Sequence, residues 1–207
     1  MKKLIVLLTC FLVALLALTA VAAAKPAEKT ELANAEKTGL ANAEKTGLAK
    51  KQVFKVKLHE LNNSGVTGIV LLKLENGELK VMVQARGLEP NQVHMQHIHG
   101  MTNGSGAVCP PPAADNNPRD GIISFAEGLP FFGPVLRALF LQGLTIYPTA
   151  DSHGKVRYRA TFSGAELAAL QLGDFPLENR VVVLHGLTVN GAYSPSLPVA
   201  CGEIMAR

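Results

Sequence analysis

Gln52-Val-Phe-Lys-Val-Lys-Leu-His-Glu60 is the stretch that decides the fold. Phe54, Val56 and Leu58 alternate with Lys55, Lys57 and His59, a period of two that places apolar side chains on one face of a strand and polar ones on the other. The same kind of run continues downstream. Val66–Leu74 and Leu79–Ala85 are β-rich and are set off by Asn62-Asn-Ser-Gly65 and Glu75-Asn-Gly77, which are hairpin signals. Lys155–Phe162 follows the turn Asp151-Ser-His-Gly154, and Arg180–Leu184 and Ala200–Met205 complete the set. Many short strands with turn punctuation predict an all-β fold, an antiparallel sandwich or barrel of one domain of about 155 residues.

Upstream of Gln52 the composition changes. Leu32-Ala-Asn-Ala-Glu-Lys-Thr-Gly39 recurs unchanged at 40–47; units so short and polar cannot bury a core, and residues 25–51 read as a repetitive flexible tether. Residues 1–24 read as a signal peptide, with Lys2 and Lys3, an apolar run from Leu4 to Val21, then Ala22-Ala-Ala24 as a processing site. The rival reading is a retained anchor, since the run approaches the roughly 20 residues that span a bilayer. Cleavage is preferred because no basic stop-transfer flank follows directly. After cleavage no membrane span remains, and the protein is expected to be secreted or in the cell envelope.

Charge excludes one class of partner. Setting aside Lys2, Lys3 and the six Lys and four Glu of residues 25–51 leaves twelve basic and twelve acidic residues in 52–207. A neutral domain without a basic stripe predicts no nucleic-acid partner. Loss of Cys10 with the signal leaves Cys109 and Cys201. In an oxidising compartment that pair favours one disulfide over two buried thiols.

Two stretches break the β pattern. Ser163-Gly-Ala-Glu166 has the spacing of a capping box opening a short helix toward Leu172. Gly100–Gly143, about 44 residues, is too long for a plain connection and is expected to be functional or partly structured. Pro134 would start a short helix through Leu141, and the apolar run Leu129–Leu144 would be either core or a docking surface. Within it, Asn116-Asn-Pro-Arg-Asp-Gly-Ile-Ile-Ser-Phe-Ala-Glu127 has EF-hand spacing, with Asp120 fifth, Gly121 sixth and Glu127 twelfth. Asn116 at the first position and Pro118 at the third weaken the case. The plainer reading is a tight Asp-Gly turn, and Asp115, Asn116, Asp120 and Glu127 would hold calcium only weakly.

His97-Ile-His99 puts two imidazoles on one face of a strand, and His185 in Arg180-Val-Val-Val-Leu-His-Gly186 is a candidate third. Three nitrogens with an open position suit copper, zinc, iron or nickel, with copper ahead at equal geometry. The structural alternative makes His97 and His99 solvent-facing strand residues and His185 a core histidine. His59 and His153 read as surface and turn residues.

Gly87-Leu-Glu-Pro-Asn-Gln-Val-His-Met-Gln-His-Ile-His-Gly100, Val182-Val-Leu-His185 and Ala200-Cys-Gly-Glu-Ile204, in that order, resemble copper/zinc superoxide dismutase, and specifically the CHRD-type proteins that share its pattern. The resemblance covers roughly Lys51–Ile204. It implies a Greek-key antiparallel β-sandwich with short helices in long loops, copper on His97, His99 and His185, a structural role for His94, and a disulfide from Cys109 to Cys201. The chain also departs from that family. Cys109–Tyr147 contains no histidine, so no zinc site is expected, and Asp115 stands about where a metal-bridging histidine belongs, as a weak copper ligand at best. The arginine that guides superoxide would fall at about Pro198. The expectation is therefore a copper-binding exported domain with at most weak chemistry on a small anion such as superoxide, and the rival is a non-enzymatic extracellular binding or structural module without a metal.

Overall fold

The computed structural model describes residues 51–206 except Gly173; the stretch read as a signal peptide and most of that read as a tether lie outside the described residues. The described chain forms nine strands. β1 (Gln52–Glu60), β2 (Thr67–Glu75) and β3 (Glu78–Arg86) are an antiparallel meander. The β2–β3 turn is Asn76-Gly77, both at positive φ, which is the hairpin geometry whose twist matches the flanking strands. β4 is Gln96–Gly100, β5 Val135–Ala138, β6 Val156–Ser163, β7 Arg180–Val189, β8 Ala192–Glu203 and β9 Met205–Ala206.

The strand order β5-β4-β7-β8-β1-β2-β3-β6 is a Greek-key order. The chain leaves β3 to build β4 and β5 elsewhere, returns to pair β6 with β3, then crosses again to pair β7 with β4. β9, β1, β2, β3 and β6 make one layer and β5, β4, β7 and β8 the other, joined where His59 and Glu60 pair with Cys201 and Ala200. The core fills the space between them: Phe54, Val56 and Leu58 of β1, Val81 and Val83 of β3 and Tyr158 of β6 meet Ile98, Val182, Leu184 and Ala200 of the second layer. The alternation in Gln52–Glu60 is thus the core-facing signature of the first layer.

The second layer differs, because β4 and the first seven residues of β7 are buried throughout. Its outer face carries a smaller cluster of Val181, Val183, Cys201, Ala107 and Phe132. The long segment after β4 folds back as a roof over this face, with a 3-10 turn at Pro112–Ala114 and a helix α1 at Phe125–Phe132. Ser124 caps α1 and Glu127 returns a carboxylate to the Ser124 N–H. The Cys109–Cys201 disulfide fastens the roof to β8.

Three local expectations change. The helix predicted from Pro134 to Leu141 is instead strand β5, because Val135 and Ala138 pair with His99 and His97 and the segment closes the free edge of β4. The helix within the long segment is α1, which Gly128 and Pro130 hide from a propensity reading. β8 begins eight residues before Ala200: Asn190-Gly191, both at positive φ, close a β7–β8 hairpin, and Pro198 sits opposite His185 at a register shift that removes the need for its missing N–H. Ser163 caps the 3-10 helix Gly164–Leu170, and its N–H donates to the Glu166 carboxylate. Of the Leu129–Leu144 stretch, Phe132, Leu136 and Leu139 are buried, while Leu129, Val135 and Leu144 are exposed.

Candidate metal site

β4 and β7 pair with His97 opposite Val183 and His99 opposite Val181. Side chains of one parity therefore share the outer face, and His185, two residues beyond Val183, joins His97 and His99 there. A bulge between Leu184 and Leu187 turns His185 toward the pair. The His185 N–H donates to the Met95 carbonyl at 2.8 Å, and the His94 ring nitrogens lie 2.9 Å and 3.0 Å from the carbonyl oxygens of His185 and Glu89. His94 thus holds the backbone that presents His185.

The three rings converge, with centroids 5.0 Å apart for His97 and His185, 5.3 Å for His97 and His99, and 5.8 Å for His99 and His185. One nitrogen from each lies within 4.8 Å of the others, and this is the only group of three or more His, Cys, Asp or Glu among the described residues placed to hold a metal ion. All three are buried, at 3%, 0% and 1% exposure. That excludes the solvent-facing alternative for His97 and His99.

The outer nitrogens fix the chemistry of the inner ones. His99 Nδ1 is 2.9 Å from the Gly133 carbonyl oxygen and His185 Nδ1 is 2.9 Å from that of Ser196. A carbonyl only accepts, so each Nδ1 carries the proton and each Nε2 a lone pair. His97 reverses the arrangement, its Nε2 lying 2.7 Å from Tyr147 Oη and its Nδ1 facing inward. Among the described residues His97 Nδ1, His99 Nε2 and His185 Nε2 are buried without any hydrogen-bond partner. The Tyr147 hydroxyl can donate to His97 Nε2 and so leave the His97 Nδ1 lone pair free as well, and three buried nitrogens aimed at one point are costly unless something there engages them.

Electrostatics keep the rings neutral. Burial pushes His97 from its ordinary 6.5 to about 2, helped by repulsion from His185 and His99. Burial lowers His185 to about 3 and His99 to about 4, opposed in part by the bonds to Ser196 and Gly133. Deprotonated imidazole is the form that ligates metals.

Two aromatic rings from α1 cover the cluster. Phe132 lies 4.7 Å and Phe125 6.2 Å from the His99 ring, and Phe125 is 6.1 Å from His185. Nothing in the local sequence pairs Tyr147, Phe125 or Phe132 with a histidine; the pairing arises from the roof and from the return of the chain after β5. A hint did exist in Ser124-Phe-Ala-Glu127, which has the capping-box spacing.

The remaining candidates are not brought to the cluster. The Asp115 carboxylate accepts from the Asp120 and Gly121 N–H groups at 3.1 Å and 2.9 Å, and Asp120 accepts from Ile122. Glu127 accepts from Asn116, Asn117 and Ser124, which hold its carboxyl down at about 2. The acids of the EF-hand-like stretch, Asp120 and Glu127, are therefore spent on turns and a helix cap, and Asn116 serves there through its backbone. Asp115 does not join the three histidines as a ligand. His59 and His153 are exposed, as their positions suggested.

No protein-family model and no curated protein matches this sequence. The functional reading therefore rests on the site itself. Among the described residues no helix is long and apolar enough to cross a membrane.

Proposed function

We propose that this chain is an exported domain that binds one copper ion through His97, His99 and His185, in a Greek-key scaffold of the dismutase-like, CHRD type. The observation that carries the reading is the set of three inward nitrogens, one from each ring, buried and without partners. The outer nitrogens are tied to Tyr147, Gly133 and Ser196, the arrangement by which proteins fix the orientation and basicity of metal-ligating histidines. Export agrees with the signal-like N-terminus and with a disulfide, which persists in oxidising compartments.

When bound, copper would supply one-electron chemistry. The protein's own residues favour holding the ion over turning over an anion. Phe125 and Phe132 pack against His99 and His185, and buried Pro198, paired with His185, offers no charge to draw superoxide inward. Steering of that kind is worth roughly 10–1000-fold in association rate, so superoxide chemistry should be weak.

The test is metal analysis after copper loading, under reducing and non-reducing conditions, with folding followed by circular dichroism. The native protein is expected to retain one copper per chain, and His97→Ala and His185→Ala none, while all three stay folded. Full retention by both folded variants would remove the site.

A further inference from the structure

Resting on the copper reading above, we propose that the three-histidine site is selective for monovalent, three-coordinate copper(I) and discriminates against zinc(II) and copper(II). The ligand set is neutral. Among the described residues no carboxylate or thiolate joins the cluster, and Asp115, Asp120 and Glu127 of the roof are each engaged by backbone N–H groups. The cost of burying an ion rises with the square of its charge, so a divalent ion without an anionic ligand suffers about four times the desolvation of a monovalent one.

Coordination number points the same way. Zinc held by three histidines keeps water or hydroxide in a fourth position, and copper(II) prefers a tetragonal set with further nitrogen or oxygen ligands. Here the Phe132 and Phe125 rings pack against the His99 and His185 imidazoles. A buried water needs two to four polar partners, and two hydrocarbon rings supply none. Copper(I), with a filled d shell, is content with three nitrogens, and an aromatic face attracts a weakly hydrated cation. Among the described residues the inward nitrogens number three, and no further His, Cys, Asp or Glu joins them.

The purified protein, disulfide intact, would be loaded anaerobically with copper(I) in competition with bicinchoninate, and titrated separately with zinc(II) and copper(II). One copper(I) per chain is expected, silent in electron paramagnetic resonance, with the X-ray absorption edge of a three-coordinate copper(I) site. Zinc(II) and copper(II) should bind at least about a thousandfold more weakly. Phe125→Ala, at a half-buried position, should admit water and strengthen copper(II) binding, with a paramagnetic signal showing nitrogen couplings. Phe132→Ala, if it folds, should do the same. Binding of zinc(II) or copper(II) as tightly as copper(I) would overturn the selectivity and leave the three-histidine site standing. Copper(II) binding unchanged in a folded Phe125→Ala protein would overturn the role of the roof. Binding of no metal would overturn both this inference and the copper reading.

Discussion

At the scale of single residues, the histidines of this chain divide by what their outer nitrogens touch. His94 is committed on both nitrogens to carbonyl oxygens, whereas His97, His99 and His185 are committed on one and open on the other. Sequence spacing placed His97 and His99 together but said nothing about which nitrogen would be free. The asymmetry predicts a pH response. In the unfolded chain the three imidazoles gain protons near pH 6.5; in the folded chain they resist until about 4, 3 and 2 for His99, His185 and His97. Between those limits the unfolded state binds more protons, so stability of the metal-free protein is greatest above 6.5 and falls as the pH drops toward the folded values. The slope should be roughly 1 kcal/mol per pH unit for each histidine. Calorimetric melting temperatures from pH 8 to 4 should decline from about 6.5 downward, and a flat profile to pH 5 would mean that the rings are solvated.

At the scale of elements, α1 and its flanks turn a sheet face into a closed site. Asn62, in the turn after β1, donates to the Ile123 and Pro198 carbonyls and accepts from the Ile123 N–H, so it ties the roof to β8. Gly133 ends α1 at φ 75°, ψ −177°, and its carbonyl orients His99. This backbone region is essentially restricted to glycine, and a Cβ there would lie 2.5 Å from the Gly100 carbonyl oxygen. Gly133→Ala is therefore expected to cost about 1–3 kcal/mol of stability and, by moving the carbonyl, to weaken metal binding about 10–100-fold. Urea denaturation with a copper competition assay would measure both. Unchanged affinity in the variant would show that the carbonyl does not position His99.

At the scale of the whole molecule, the disulfide joins positions 92 apart in sequence and links the roof to β8. The chain-entropy treatment gives about 4–5 kcal/mol for a loop of that length. Replacing both cysteines by alanine should lower unfolding free energy by that order and speed hydrogen exchange in residues 101–134 more than in β1–β3; equal stability would show that the roof holds without its staple. The sequence by itself determined the strand periodicity, the hairpin turns and the His97–His99 pair, because these follow from alternation and φ preferences within a few residues. The third histidine and the disulfide were legible through resemblance and compartment. Tertiary structure alone decided the rest. β5 is a strand because β4 has an edge to satisfy, and the acids of Asp115–Glu127 hold turns because backbone N–H groups reach them first. His185 reaches the pair because a bulge and a Greek-key crossing put β7 beside β4. Local sequence encodes conformation over one or two turns of chain, whereas a site assembled from residues 97, 99, 133, 147 and 185 depends on long-range pairing that only the packed core enforces.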